Sequence, residues 1–197
     1  MASYSIYGNV TSYVGKNGTE ESFLDMNGKS PRLLHIATHG FYYTPNKAEN
    51  VDYLKGYTDA MSLSGLVLSG GNAAWLGKPL PKGVLGGILS ANDIARLDLS
   101  NTDMVVLSAC KTGQGKATSE GLYGLQRAFK KAGVGTIIMS LWKVDDKVTS
   151  EFMTIFYERL VDKDNNWNKR KAFEEAKEII RQKHPDPFHW AAFVMLD

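Results

Sequence analysis

Short, nearly unbroken apolar runs alternate along this chain with longer stretches whose apolar residues recur every three or four positions. The runs at 32–37 (RLLHIA), 64–69 (SGLVLS), 104–109 and 135–142 are too short for buried helices and are set off by Gly, Pro, Ser, Asn or Asp. That pattern predicts strands covered on both faces. Between the last two, Leu122, Leu125, Phe129 and Ala132 form one stripe, which predicts a helix from a Ser119 cap to Ala132 with Gly133 as its stop. Asp145 or Asp146 caps the next helix, running to about Val161 with Phe152, Ile155, Phe156 and Leu160 near one face. Asn168 opens a third, which carries Phe173, Ala176, Ile179 and Ile180 inward until Pro185 and Pro187 end it.

Two shorter helices are also predicted. One covers 20–26 behind a Thr19 cap and stops at Asn27 and Gly28, and the other runs to Arg96 behind a Ser90/Asp93 pair that resembles a capping box. Residues 190–196 read as a closing strand. Residues 41–60 lack a period and read as a long loop, and the Gly- and Pro-dense stretch 70–87 as a second excursion. Strands alternating with helices in this order predict an α/β sandwich with a mainly parallel central sheet flanked by helices. Residues 1–18 stay poorly defined, and 19–197 read as one folded domain.

Composition narrows the function classes. No run approaches the roughly 18 to 20 apolar residues that a membrane helix needs, and the start, MASYSIYGNV, lacks the basic-then-apolar order of a secretory signal. With one cysteine and no export signal, a reducing, cytoplasmic setting is expected. A net charge of +2, with acids and bases interspersed, gives neither a basic stripe for nucleic acid nor a polybasic patch for a membrane. The 4 histidines and single cysteine show no metal-ligand spacing, so neither metal nor cofactor is expected.

Ligand sites in parallel α/β sheets lie beyond the carboxyl ends of the strands. Two such ends carry chemistry: His39 follows the run at 32–37, and Cys110, the lone cysteine, follows the run at 104–109. A thiolate is a strong nucleophile that needs a proton partner, and histidine titrates near neutrality and can serve as base or acid. Backbone N–H groups at Gly40 and Cys110 are candidate donors to a developing oxyanion. Taken singly, each residue has a bland reading, since a cysteine at a strand end is commonly a small buried hydrophobe. His35, among Leu and Ile, reads as a hydrogen-bonded core residue, and His184 and His189 as structural. The loop after Cys110 suggests a phosphate-binding turn, but with Gly115 and Lys116 as its Gly-Lys the motif requires Gly at Cys110 and Ser or Thr at Ala117. Both positions fail.

The segments LLHIATHGFYY, ILSANDIARLDLSNTDMVVLSACKTGQG, SEGLYGLQRAFKKAGVGTIIMSLWKVDD and HPDPFHWAAFVMLD, taken together, resemble the CHAT domain, a bacterial member of the caspase and separase clan of cysteine peptidases. The resemblance runs from about Thr19 to the end. It implies a caspase-like three-layer α/β sandwich, a catalytic dyad of His39 and Cys110, and an oxyanion hole at the Gly40 and Cys110 N–H groups. It also implies a pocket for the residue before the cut, for which Trp142, Asp145 and Asp146 are candidates; packing and helix capping would use the same residues. The expected activity is cysteine endopeptidase cleavage of protein or peptide substrates, and the alternative is a catalytically silent interaction module of the same fold. Lys111 stands where family members often have Glu. Such domains usually follow helical repeats, so a helical-repeat regulatory region or a separate regulator is the expected further partner.

Overall fold

The computed structural model describes residues 10–43, 56, 59, 61–80, 85–108, 110–111 and 119–197, with backbone alone for Cys110, Lys111 and residues 119–123. The described residues divide into two compact units, one within 15–143 with 194–197 and one of residues 144–193 with 10–14.

The larger unit holds two sheets. In the first, β1 (Leu33–Ile36), β5 (Met104–Leu107), β7 (Thr136–Ser140) and β8 (Phe193–Leu196) lie in the order β1-β5-β7-β8, and both β1 with β5 and β5 with β7 are parallel. In the second, β2 (His39–Tyr42), β3 (Ser64–Val67), β4 (Ile88–Ser90) and β6 (Cys110–Lys111) lie in the order β4-β3-β2-β6. There the β4/β3 and β3/β2 pairs are antiparallel and β2/β6 is parallel.

Two chain segments thread both sheets. β1 runs on into β2, and β5 into β6, with the same register throughout: Leu33 stands opposite Met104, Ile36 opposite Leu107, and His39 opposite Cys110. Sequence reading ended the first strand before His39 and the second before Cys110. Instead the first segment breaks at 37–38 and resumes as β2 at His39, and the second, which leaves the first sheet after Leu107, is paired in the second sheet from Cys110.

The main core fills one side of these sheets. Leu34, Ile36, Val105, Leu107, Ile137 and Met139 come from the parallel strands, Leu66 and Leu89 from the hairpin sheet, and Leu125, Ala128, Phe129 and Ala132 from α4 (Ser119–Lys131). Phe129 is wholly buried, a change worth about 1.5–3 kcal/mol relative to an exposed ring. Phe23 meets it edge-on at 6.5 Å. The α4 stripe read from the sequence is the face that packs, and Gly133 ends the turn at φ +97° as its stop. The Leu122 side chain lies outside the described residues.

Short helices attach through the caps read from the sequence. Thr19 Oγ1 accepts from Ser22 N at 3.2 Å to open α1 (Glu20–Leu24). Ser90 and Asp93 form a full reciprocal capping box on α3 (Ala91–Ile94), with Asp in the place usual for Glu. The excursion between β3 and β4 contains an unexpected helix, α2 (Gly71–Trp75). Two acids of α1 hold its far end: Glu21 Oε1 accepts from Leu85 N at 2.6 Å and Glu20 Oε2 from Gly87 N at 2.8 Å.

The smaller unit packs α5 (Asp146–Val161) against α6 (Lys169–Lys183), and α7 (Pro187–Trp190) follows. Phe152 stacks on Phe193 at 4.0 Å and meets Phe173 edge-on at 5.6 Å. Asp145 caps α5 and Asn168 caps α6. Trp190, read as the first residue of the last strand, instead ends α7, which forms because Asp186 caps it and Pro187 is preset for its first turn; the strand itself begins at Phe193. The architecture is therefore mixed α/β with a mainly parallel sheet and flanking helices, consistent with a caspase-like fold.

Candidate functional site

The continuous register is what builds the site. His39 opens β2 and Cys110 opens β6, and the two are direct partners across a parallel pair. Adjacent strands stand about 4.8 Å apart, so the two backbones are immediate neighbours. The break before each residue is tied by its own bonds. Ser108 N donates to Ile36 O at 2.9 Å, and Thr38 Oγ1 donates to Val67 O. The first bond joins the two segments at their breaks, and the second ties the break before His39 to β3.

The faces of β2 divide the residues. Side chains alternate along a strand, and Gly40 is buried on the side where its partner Leu66, and then Leu89, join the main core. His39 is on the other side and exposed. Tyr43 N donates to Leu63 O at 2.9 Å, and bonded pairs alternate along an antiparallel ladder, so the Gly40 N–H is directed away from β3, toward β6.

His39 shares its side with a small apolar cluster that sequence reading missed. Phe41, Leu63 and Ile88 are its buried members, and Tyr43, Val67, Ala74 and Trp75 pack against them half-buried. Val67 is the register partner of His39 on β3. The signal was present in HGFYY, whose alternate residues His39, Phe41 and Tyr43 read as one face once the segment is taken as strand.

The other histidines take different places. His35 sits on β1 opposite Val106, and its Nε2 is 3.0 Å from Ser108 Oγ, so the expected hydrogen bond is present. It is not a core residue: its neighbours Leu34 and Ile36 face the core, and the intervening His35 reaches solvent. The protein packed around the ring still removes enough water to hold its pKa below 6.5. His184, at the end of α6, places Nε2 2.9 Å from Glu151 Oε2, while the other oxygen, Oε1, pairs with Lys183 Nζ at 2.6 Å. His189 lies in α7, with its ring 5.6 Å from that of His184.

The candidate pocket residues fall in different units. Trp142 is half-buried just after β7. Asp145 is exposed, and Oδ1 accepts from Lys147 N at 2.9 Å and Val148 N at 3.4 Å as the cap of α5. Asp146 is exposed in the first turn of that helix. Residues 112–118, the glycine-rich stretch that suggests a phosphate-binding turn, lie outside the described residues, as does the Cys110 side chain. Among the described residues no group of His, Cys, Asp and Glu could hold a metal ion, and no helix is long and apolar enough to cross a membrane.

Residues 4–197 match the CHAT domain family. The chain belongs to that family. CHAT domains are part of the caspase-like peptidase superfamily, in keeping with the α/β architecture here. Tetratricopeptide repeat protein 28 of Mus musculus is 31% identical over 111 residues, or 55% of this chain, and its Homo sapiens counterpart is 30% identical over the same length. The matched stretch is 4% of the length of each relative.

Proposed function

We propose that this CHAT domain is a cysteine endopeptidase whose working pair is Cys110 and His39. The Cys110 thiolate attacks the carbonyl carbon of a peptide bond, forming the carbon–sulfur bond and an oxyanion that the Gly40 and Cys110 N–H groups stabilise. As the carbon–nitrogen bond breaks, His39 gives a proton to the leaving amine. Water then hydrolyses the thioester, releasing the carboxylate product and returning the thiol to the pair. The observation that carries this reading is the register that sets His39 directly opposite Cys110 at the resumption of two broken strands.

Substrates on this reading are proteins or peptides. The two aspartates in sequence, Asp145 and Asp146, favour a basic residue before the cut by charge complementarity. The relatives are named for tetratricopeptide repeats, which supports a helical-repeat regulatory region or a separate regulator as partner. The same relatives favour a second reading, a catalytically silent interaction module, because the matched stretch is 4% of a long repeat protein.

Cleavage of a random peptide library, with sites mapped by mass spectrometry, tests the assignment. Cys110→Ala is expected to abolish cleavage, and His39→Ala to lower kcat by about 10²–10⁴-fold. Activity that survives either change undiminished overturns the roles. Cut sites without Lys or Arg on the acyl side overturn the charge argument alone.

A further inference from the structure

In the second sheet β6, β2 and β3 are consecutive, so a line from Cys110 through His39 continues onto Val67. In the proposed reaction the acid protonates the leaving amine, so the half of the substrate after the cut lies on the histidine side of the pair. Beyond His39 on that side the surface is apolar. Val67 leads to Phe41, whose ring meets Trp75 at 5.1 Å, while Tyr43 meets Trp75 at 5.5 Å.

The helix that carries Trp75 is built to sit there. A Cβ at Gly71 would lie 2.6 Å from Val67 Cγ1, so only glycine lets the start of α2 approach that strand so closely. The residue opposite Phe41 is also glycine: a Cβ at Gly65 would come within 2.8 Å of the Phe41 ring, which its absence leaves room for. Glu21 and Glu20 of α1 anchor the chain after α2 at Leu85 N and Gly87 N. Val67, Tyr43 and Trp75 are each half-buried, so apolar surface remains open next to an exposed His39.

We infer that Val67, Tyr43 and Trp75 form a subsite for apolar or aromatic side chains in the first two residues after the scissile bond. The inference rests on the peptidase reading and adds a specificity that the dyad itself does not supply. The spacing fits: an extended peptide advances about 3.3 Å per residue and the next strand is about 4.8 Å away, so a chain leaving the dyad reaches Val67 within one or two residues. Trp75 and Tyr43 are specificity residues rather than catalytic ones, since neither is required to touch the reacting atoms.

The test uses the whole chain and the random peptide library, and reads the residue frequencies after the cut. Because the readout is a ratio within each sample, it is independent of how much protein is active. Wild type is expected to enrich Leu, Phe, Tyr or Met there on the order of fivefold, roughly what removing one to two methylene groups from water is worth. Trp75→Ala is expected to flatten that preference, Trp75→Phe to restore part of it, and Leu76→Ala, one residue on and exposed, to keep it. Val67→Thr keeps the β-branched outline that a strand favours and is expected to lower the enrichment even if Trp75→Ala fails to fold. Cleavage with no apolar preference after the cut, or one unchanged by Trp75→Ala and by Val67→Thr, overturns the subsite and leaves the peptidase reading standing. No cleavage, and no reaction of Cys110 with a peptidyl electrophile, overturns that reading and the subsite with it.

Discussion

At the scale of single residues, legibility depended on whether a residue's role is local. Cys110 and His39 were picked out because each follows an apolar run, and the structure sets their backbones opposite each other. His35 was misjudged because RLLHIA looks buried on both faces, whereas the faces of β1 differ and only Leu34 and Ile36 enter the main core. Its environment has a consequence for stability. Loss of surrounding water holds the folded pKa of His35 below 6.5, so as pH falls through 6.5 the unfolded chain takes up a proton that the folded chain does not. Stability from this residue is therefore full above that pH and declines from 6.5 down to the folded pKa. His35→Gln, which can still bond Ser108, is expected to lose less stability than wild type between about pH 7.5 and about pH 5 in urea titrations. Equal losses would contradict the account.

At the scale of elements, the long helices were legible because stripe, cap and stop coincide, as they do for α4, α5 and α6. The strand starts β2 and β6 were not, because His-Gly and the glycine-rich stretch after Cys110 have the composition of turns, and only pairing with another strand makes them sheet. α2 was hidden in a Gly-rich segment for the same reason. Two predictions belong here. A Cβ at Gly65 would lie 2.3 Å from Leu89 O, so Gly65→Ala is expected to destabilise by about 1–3 kcal/mol as the hairpin shifts; an unchanged denaturation midpoint would contradict that crowding. Glu20 is raised above 4.5 chiefly by burial, while the Gly87 N–H pulls the other way. Glu20→Gln keeps an acceptor for that N–H and removes the charge, so its neutral-pH Tm is expected to equal or exceed wild type. Glu20→Ala leaves the donor unpaired and is expected to cost about 1–3 kcal/mol. A lower Tm for Gln than for Ala would reverse the assignment.

At the scale of the molecule, the fold class was legible from the alternation of strands and helices, and family membership from its motifs. The division of the sheet in two was not, since it turns on short breaks that leave no mark in hydropathy. Those breaks matter because they keep one register from Leu33 and Met104 to His39 and Cys110, which is the physical basis of the proposed dyad. Its most direct test is the intact mass of the protein after exposure to a peptidyl electrophile and, separately, to iodoacetamide, for wild type and His39→Ala. The account predicts that the electrophile adds to Cys110 in wild type at least about a hundredfold faster than in His39→Ala. Labelling of Cys110 by iodoacetamide in both proteins, with no peptidyl adduct in either, would contradict it.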